Sequence, residues 1–331
     1  MMSHLCPHSS TEVISINISK FFNLDTVSRI KDTASIRLSD HSYLPKATDP
    51  RSDWVASVAV PAFVAVAQAG ITVDDFATIG TGSGLDALAA IEILKASSII
   101  ITDIHDDVVA IAKENITSNV INPSTVTIFS AAGDLLDPIE NESLKLDLIY
   151  ENLPNIPLIQ GDEIDDGQNS STFVSSRKEV TPGFVDRFLI KLHYLALKQA
   201  HPLLRNGGRV LSSIGGRIPL QVIRQLGVEA GYESDILTFT WKQQSEPEEV
   251  IGGYANWERE GFGPFRFYPV QALSETFQSF SDVAAGLQSA EIERVLLPHE
   301  LTASAALDAW KSGQSIGHTV AVLQSIKRFK E

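Results

Sequence analysis

A glycine-rich segment, Gly80-Thr81-Gly82-Ser83-Gly84, joins a short apolar run to an apolar helical pattern that begins at Leu85. Glycines at such a junction let the backbone approach a ligand closely, and the first N–H groups of the helix are free to bind it. Dinucleotide-binding proteins carry the pattern G-x-G-x-x-G, whose last glycine would fall at position 85. Because leucine stands there, we expect a ligand other than a pyrophosphate.

A carboxylate follows the next apolar run. Asp103 stands nineteen residues after Gly84 and is followed by Ile104. At the carboxyl end of a second strand, an acidic side chain is placed to accept hydrogen bonds from both hydroxyls of a ribose. Helix capping, the alternative role, would fall more naturally to Asp106 or Asp107. We therefore predict that Asp103 binds a ribose.

These residues belong to a regular alternation of short apolar runs and helical patterns. The runs are apolar throughout, which is typical of parallel strands covered on both faces. The alternation predicts a doubly wound α/β sheet, with its ligand at the carboxyl ends of the strands. The predicted strands are Phe76–Gly80, Ser98–Asp103, Thr125–Ser130, Leu146–Glu151 and Arg209–Ser213, and the predicted helices are Leu85–Ala96, Asp106–Asn119 and Asp186–Leu204, the last ended by Asn206-Gly207-Gly208.

We predict the core at residues 51–245, and three regions lie outside it or interrupt it. Residues 1–50 form an N-terminal extension that we expect to help cover the site, and residues 246–331 add a strand and helices. The polar segment 161–183 directly follows the fourth predicted strand. It is either a lid over the site or a solvated insertion.

The order of the motifs resembles class I S-adenosylmethionine-dependent methyltransferases. The glycine loop directly before the helix looks like their first motif, and Gly133-Asp134 after the third strand resembles their adenine-contacting loop. The resemblance implies a Rossmann-like sheet, S-adenosylmethionine as cofactor and Asp134 as acceptor for the adenine amine. The family usually has an acid two residues before the first glycine, where this chain has Thr78. Asp86 is a candidate replacement, although a negative charge in the first turn of a helix has a role of its own.

The end of the fourth predicted strand carries Asn152-Leu153-Pro154-Asn155. The sequence resembles the N-P-P-Y motif of amino and amide N-methyltransferases, in which the Asn side chain and a Pro carbonyl accept hydrogen bonds from the target nitrogen. Leu153 replaces the first proline and Asn155 replaces the aromatic residue. Asn152, Pro154 and Asn155 are therefore candidate catalytic residues, with Asn152 also near the cofactor.

The second half of the chain, from RNGGRVLSSIGGR to AWKSGQSIGHTVAVLQSIKRF, resembles the methyltransferase region of methionine S-methyltransferases. Plant members carry this unit ahead of a long extension, and stand-alone bacterial members act in dimethylsulfoniopropionate synthesis. This chain resembles the stand-alone form over roughly residues 45 to 328. The resemblance implies that the substrate is L-methionine and the product S-methylmethionine.

Several residues are candidates for the acceptor end of the site. Arg217 follows a diglycine after the fifth strand, where its guanidinium could hold an α-carboxylate; a surface salt bridge is the alternative. Arg266, on a predicted late strand, is a second candidate, although packing against its aromatic neighbours is favoured. Tyr254, in a presumed loop, could face a sulfonium, whereas core packing is favoured for Trp257. His318, on a predicted C-terminal helix, lacks a metal-ligand partner and is interpreted as structural.

The composition of the chain excludes several classes of binding partner. The net charge is −15 with a pI near 4.9, a field that repels nucleic acids and anionic membranes. The single cysteine, Cys6, allows no intrachain disulfide or cysteine-based metal site. No signal peptide is recognised, and Trp54–Ile71 is interpreted as a buried helix. We expect a cytoplasmic enzyme with a small-molecule substrate, no metal, and no nucleic acid or membrane partner; a homo-oligomer is left open.

Three alternatives to methionine S-methylation are kept. An N-methyltransferase acting on a small amine or a protein glutamine amide would share the fold and cofactor. A nicotinamide oxidoreductase is disfavoured by Leu85. The third alternative is a binding protein without catalytic activity, and the one indication of it is Thr78, which stands where the family usually has an acid.

Overall fold

The computed structural model of the protein describes residues 12–158 and 172–328. The first part contains β1 (Val13–Asn17), α1 (Ile18–Phe21), β2 (Thr33–Arg37), α2 (Val60–Gln68), β3 (Asp75–Ile79), α3 (Leu85–Ala89), β4 (Ser98–Asp103), α4 (Asp106–Asn119), β5 (Thr127–Ala132), β6 (Leu146–Glu151) and β7 (Ile156–Pro157). The second contains β8 (Phe173–Val174), α5 (Gly183–Arg187), α6 (Lys191–Leu203), β9 (Leu204–Gly216), α7 (Leu220–Glu229), β10 (Glu233–Gln243), α8 (Pro247–Arg259), β11 (Tyr268–Pro269), α9 (Val270–Phe277), α10 (Asp282–Leu287), α11 (Ser289–Leu296), α12 (Ala303–Lys311) and β12 (Ile316–Ile326).

The main sheet has the strand order β5-β4-β3-β6-β9-β12-β10, with β11 paired to β12 at its edge. Neighbouring strands from β5 to β9 are parallel, whereas β12 is antiparallel to both β9 and β10. This order, with its reversal beside β3, is the class I methyltransferase arrangement, so the predicted doubly wound α/β fold is confirmed. The carboxyl ends of the parallel strands therefore meet at one edge of the sheet.

The central strands are apolar because both faces of the sheet are covered. Ile100 and Ile149 pack with α6 and α7 on one face, while Ile99, Ile101 and Leu148 pack with α2, α3 and α4 on the other. Successive side chains of a strand point to opposite faces, so an unbroken apolar run is what a two-sided core requires.

Two predicted helices differ from the observed ones. The helix at Leu85–Ala96 is α-helical only to Ala89 and continues as a π-helical turn over Ala90–Leu94. The helix at Asp186–Leu204 is split into α5 and α6, with Leu189 in the left-handed region at φ 56°. The segment Asn206-Gly207-Gly208 is part of β9 instead of a helix end, because Gly207 and Gly208 exchange backbone hydrogen bonds of 2.9 Å with Lys327 beyond β12.

The proposed boundary at residue 245 does not separate structural units. β12 comes from the C-terminal region but lies between β9 and β10 in the main sheet. The segment Trp54–Ile71 forms a π-helical turn followed by the largely buried helix α2. Among the described residues, none of the helices combines the length and apolar character needed to cross a membrane.

Candidate active site

A cavity of about 1340 Å³ opens at the carboxyl ends of the parallel strands. It is walled by the loops after β3, β4, β5, β6 and β9, by the end of β10, by part of α8 and by residues 41–55 of the N-terminal region. The predicted site residues that line it are Gly80, Thr81, Gly82, Asp103, Ile104, Gly133, Asp134, Asn152, Pro154, Asn155, Arg217 and Tyr254.

The glycine loop is held to the neighbouring strand by its backbone. The N–H groups of Gly80 and Thr81 both donate to the carbonyl of Thr102, at 2.8 and 3.1 Å. Gly82 has φ 51°, and a Cβ added there would meet nothing within 4 Å. The hydroxyl of Thr81 is buried and has no hydrogen-bond partner among the described residues. The loop therefore offers an open backbone and an unsatisfied polar group to a ligand.

Asp103 is fixed from both sides. One carboxylate oxygen accepts from the N–H of Gly82 at 3.3 Å and the other from that of His105 at 3.2 Å. Burial raises the pKa of Asp103, while these backbone hydrogen bonds oppose the shift. Beside it, the Ile104 side chain is 67% exposed although it is large and apolar, as expected of a residue that covers one face of a planar ligand.

Gly84 is the predicted cofactor residue that does not line the cavity. A Cβ added there would lie 3.2 Å from both the carbonyl oxygen of Ala112 and Cγ1 of Ile116, on α4. Gly84 thus allows α3 and α4 to pack closely, and it positions the loop instead of contacting the ligand.

Asp86 brings a carboxylate next to Thr78. The Thr78 hydroxyl donates to one oxygen of Asp86, and the N–H of Ala87 donates to the other at 2.8 Å. Asp86 lines the cavity, and burial raises its pKa to about 6. A carboxylate in the first turn of α3 thus lies beside Thr78, the position at which the family usually carries an acid.

Asp134 is engaged by an arginine. Its two oxygens accept hydrogen bonds of 2.8 and 2.6 Å from Arg177, which also pairs with Glu179. Arg177 belongs to the described part of the polar segment predicted at 161–183; residues 159–171 lie outside the described residues. An adenine amine that binds Asp134 would therefore share the carboxylate with Arg177, a partner that sequence inspection does not reveal.

The Asn152–Asn155 loop follows β6 directly. The Asn152 side chain lines the cavity and has no hydrogen-bond partner in the described part of the chain. Asn155 is held from behind by His193 of α6, whose Nε2 lies 3.0 Å from Asn155 Oδ1. Both oxygens of Glu151 lie 2.8 Å from Nδ1 of the same histidine. Glu151 and His193 were not predicted, because one stands inside a strand and the other inside a helix.

Arg217 is buried at the acceptor end of the cavity. Its Nε and Nη2 donate to Oε1 of Gln244 at 3.1 and 2.8 Å, and Nη2 also lies 2.8 Å from Nε2 of His318. Its guanidinium carbon lies 5.4 Å from the ring centre of Tyr254. Of the described residues, no carboxylate forms an ion pair with Arg217, so the predicted alternative of a surface salt bridge is wrong.

Gly215 explains why a diglycine precedes this arginine. A Cβ at position 215 would collide with Nη1 of Arg217. The bare backbone thus lets the guanidinium fold back over the end of β9. Sequence inspection finds Arg217 and His318 but does not place them together, and it misses Gln244. Gln244 directly follows β10, and His318 lies on β12, which pairs with both β10 and β9.

Other acceptor-end predictions need correction. Tyr254 lies on α8, with its ring packed on Phe265 and Arg217, so it is not in a loop and its face is already occupied by a cation. His318 lies on β12 and not on a helix. Its Nδ1 lies 2.8 Å from the carbonyl of Thr319, which leaves Nε2 to accept from Arg217. Burial, followed by the charge of Arg217, lowers the pKa of His318 well below its usual value.

Arg266 and Trp257 have structural roles. Arg266 is in a loop, not on a strand, and pairs with Glu293 at 2.6 Å and Glu300 at 3.0 Å; it does not line the cavity. The Trp257 indole donates to the carbonyl of Pro157 at 3.0 Å. Neither is placed to hold a ligand in the cavity.

Lys242 ties the N-terminal wall to the sheet. Its ammonium donates to the carbonyls of Arg51 and Asp53 at 3.1 and 3.2 Å and to the Ser57 hydroxyl at 2.8 Å. Burial lowers its pKa to about 8. At the mouth, His41 pairs with Asp107 and its ring stacks parallel on that of His105 at 4.3 Å. These contacts place part of the N-terminal extension over the site.

A profile of the ribosomal protein L11 methyltransferase family (PrmA) matches residues 60–160 of the chain. These residues include the glycine loop, Asp103, Asp134 and the loop after β6, within a sheet of class I strand order. The chain is an S-adenosylmethionine-dependent methyltransferase. The nicotinamide oxidoreductase alternative is thereby set aside. A comparison with curated proteins found no match.

Solved methyltransferase structures are similar to this one only at the level of the fold. The ribosomal protein L11 methylase of Lactobacillus delbrueckii subsp. bulgaricus is 20% identical, with a TM-score of 0.37 and coverage of 70% of this chain and 91% of that one. The Geobacter metallireducens precorrin-6y C5,15-methyltransferase is 8% identical, with a TM-score of 0.36 and coverage of 81% and 87%. A Haemonchus contortus phosphoethanolamine N-methyltransferase is 12% identical, with a TM-score of 0.34, and the match spans 78% of this chain but half of that one.

The residues at the cavity fit S-adenosylmethionine, which is the cofactor of this class of enzyme. Hydrogen-bonding groups are supplied by the unpartnered hydroxyl of Thr81 and the fixed carboxylate of Asp103. The space beside Gly82 is open to a ligand. Exposed Ile104 supplies an apolar surface.

Proposed function

We propose that this methyltransferase methylates the thioether sulfur of L-methionine to give S-methylmethionine. The observation that carries the proposal is the buried guanidinium of Arg217, which lines the cavity without a carboxylate partner among the described residues. Burying a charge without a counter-ion costs several kcal/mol unless a ligand supplies the opposite charge. An α-carboxylate matches both the charge and the planar shape of the guanidinium.

Arg217 is held by neutral groups that leave its charge available. Gln244 and His318 accept its hydrogen bonds, and Tyr254 packs on its face. Burial lowers the pKa of Arg217, but an arginine stays charged even so, because its ordinary pKa exceeds 12. Lys242 adds a second positive charge to this end of the cavity. These two cations favour an acceptor that carries a carboxylate.

Thioether methylation needs positioning and no base. S-adenosylmethionine supplies an electrophilic methyl group on a sulfonium. The acceptor sulfur forms the new S–C bond with a lone pair while the old S–C bond breaks, and no proton is released. Arg217 would orient the acceptor through its carboxylate, and the buried walls around Tyr150 and Tyr254 would exclude water. The cations at this end are suited to holding a substrate, not to removing a proton.

The cofactor roles are assigned to residues at the other end. Asp103 would accept the ribose hydroxyls, Gly82 and Thr81 would face the cofactor through the backbone and the free hydroxyl, and Ile104 would cover the adenine. Asn152 lies between the two ends, where its free amide can contact either ligand. The carboxylate of Asp86 would meet the cationic amino group of the cofactor.

Asp86→Asn tests that last role. Because the folded-state pKa is raised to about 6 above an unfolded value near 4, the folded protein binds the proton more tightly and loses stability as pH rises from 4 to 6. The asparagine variant should therefore gain on the order of 2 kcal/mol in free energy of unfolding at pH 7.5 and little at pH 4.5. Urea denaturation at both pH values measures this.

The same variant should bind S-adenosylmethionine at least tenfold more weakly at pH 7.5, as measured by calorimetry. Wild-type affinity should fall below pH 6, as Asp86 becomes protonated. Asp106→Asn, an exposed acid in the first turn of α4, is the matched control. A destabilised Asp86→Asn variant with normal cofactor affinity would contradict the role.

The proposed substrate is tested by incubating the enzyme with S-adenosylmethionine and single amino acids and measuring methyl gain by mass spectrometry. With saturating methionine, kcat should be nearly flat from about pH 6.5 to 8.5, because a thioether has no proton to lose. The KM for methionine should rise above pH 8, where Lys242 loses its charge. A tenfold rise of kcat over this window that Asn152→Ala abolishes would favour nitrogen methylation.

A second candidate function is N-methylation of a small amine or a protein glutamine amide. It is favoured by the N-P-P-Y-like loop, in which the free Asn152 amide lines the cavity, and by the L11 methyltransferase match, which covers that loop. The match ends at residue 160 and includes none of Arg217, Lys242 or Gln244. The acceptor end is therefore interpreted from its own residues.

A further inference from the structure

A buried histidine and glutamate lie directly behind Asn155. Glu151 and His193 have exposed fractions of 0% and 1%, and neither lines the cavity, whereas Asn155 does. The contacts run from both Glu151 oxygens to His193 Nδ1 at 2.8 Å, and from His193 Nε2 to Asn155 Oδ1 at 3.0 Å. The amide of Asn155 is therefore the surface through which this pair acts on a ligand.

The hydrogen-bond chain fixes the direction of the amide. A carboxylate accepts only, so Nδ1 of His193 carries a proton. Oδ1 of Asn155 faces Nε2, and an amide oxygen accepts only, so this arrangement requires a proton on Nε2. Glu151 would balance the positive charge of a ring that is protonated at both nitrogens. With its oxygen held by His193, Asn155 keeps its NH₂ group for the ligand.

We propose that Glu151 and His193 are a positioning pair that holds Asn155 with its NH₂ group available in the cavity, where it binds a hydrogen-bond acceptor of the methyl acceptor, such as a carboxylate oxygen. The proposal rests on the proposed function for the identity of that substrate. It makes position 155 a second determinant of specificity, separate from Arg217.

The contacts of His193 also exclude it as a general base for the substrate. His193 has both ring nitrogens engaged and is screened from the cavity by Asn155. A general base must reach the proton that it removes, directly or through one water. His193 acts on the substrate through Asn155 and does not contact it.

Asn155→Asp is the decisive variant, because aspartate keeps the size of the side chain and an oxygen for His193 but replaces the NH₂ donor with an acceptor. We expect the KM for L-methionine to rise at least 20-fold, kcat to stay within threefold, and the Kd for S-adenosylhomocysteine to stay within twofold. Asn122→Asp, an exposed loop position, controls for the added charge. An unchanged or lower KM would overturn the proposal.

Nuclear magnetic resonance of ¹⁵N-histidine-labelled enzyme bound to S-adenosylhomocysteine gives a test that needs no methyl acceptor. The His193 signals, assigned by their loss in His193→Gln, should show a proton on both ring nitrogens at pH 7. An unprotonated Nε2 would require Asn155 to turn its NH₂ group toward His193, which would overturn the proposal. If the enzyme does not methylate methionine, the proposed function fails while this measurement still decides the positioning role.

Discussion

Arg217→Met is expected to raise the KM for L-methionine by on the order of 100-fold while the Kd for S-adenosylhomocysteine stays within twofold. The change corresponds to about 2.7 kcal/mol, in the range for a charge-assisted hydrogen bond made without competing water. The contact is present in both the ground and the transition state, so kcat should change little.

The same substitution should stabilise the substrate-free protein. An apolar side chain of similar length removes the desolvation cost of a buried charge that lacks a counter-ion, and we expect this gain to exceed the loss of the bonds to Gln244 and His318. An arginine that served only the fold would instead lose its bonds to Gln244 and His318 and lower the stability. Urea denaturation therefore distinguishes the two roles.

Arg209→Met is the matched control. Arg209 is on β9, the strand that Arg217 follows. It is partly buried and pairs with Gln324 at 2.9 Å, but it does not line the cavity. Arg217→Lys should give an intermediate KM, because lysine keeps the charge and loses the planar two-point contact. A normal KM in Arg217→Met would remove the carboxylate anchor from this position.

Gly82→Val is expected to weaken S-adenosylhomocysteine binding at least 100-fold. At φ 51° a β-branched residue is strained, and its side chain would project into the open space beside the loop. Asp103→Ala should lose about 1.5–3 kcal/mol of binding, the range for a hydrogen bond to a charged group. Calorimetry measures both.

Gly70→Val is the control variant, because it introduces the same kind of backbone strain without changing the cavity. Gly70 has φ 70°, an added Cβ would meet nothing within 4 Å, and the residue lies outside the cavity. If Gly70→Val weakens cofactor binding as much as Gly82→Val does, the effect of the latter is general destabilisation. Wild-type affinity in both Gly82→Val and Asp103→Ala would place the cofactor elsewhere.

The end of the cavity that we assign to the cofactor was predictable because its residues directly follow strands. Ser98–Asp103 and Leu146–Glu151 were predicted with the observed bounds, since apolar runs that end in polar loops are visible locally. The strand that carries Asp103 therefore placed that carboxylate at the correct edge of the sheet. Gly84 was misassigned because spacing alone cannot distinguish a glycine that faces a ligand from one that faces a helix.

The acceptor half was less predictable because it depends on pairing between distant segments. His318 reaches Arg217 because β12 lies beside β9, a contact across 101 residues. His318 was predicted on a helix but lies on a strand, because burial makes both kinds of element apolar. Tyr254 was predicted in a loop but lies on α8. The Glu151–His193 pair has no local sequence signal, since the two residues lie 42 positions apart, one on a strand and the other on a helix.

The strand order also divides the enzyme along its sequence. The groups that we assign to the cofactor alone occur before residue 135. Of the groups assigned to the acceptor, Asn155 precedes β9, whereas Arg217, Lys242, Gln244, Tyr254 and His318 come from the segment that begins with β9. Mutational drift after residue 204 can thus alter which molecule receives the methyl group while leaving the methyl donor in place. New acceptor specificities would then arise largely from changes in one contiguous part of the chain, together with changes at Asn155.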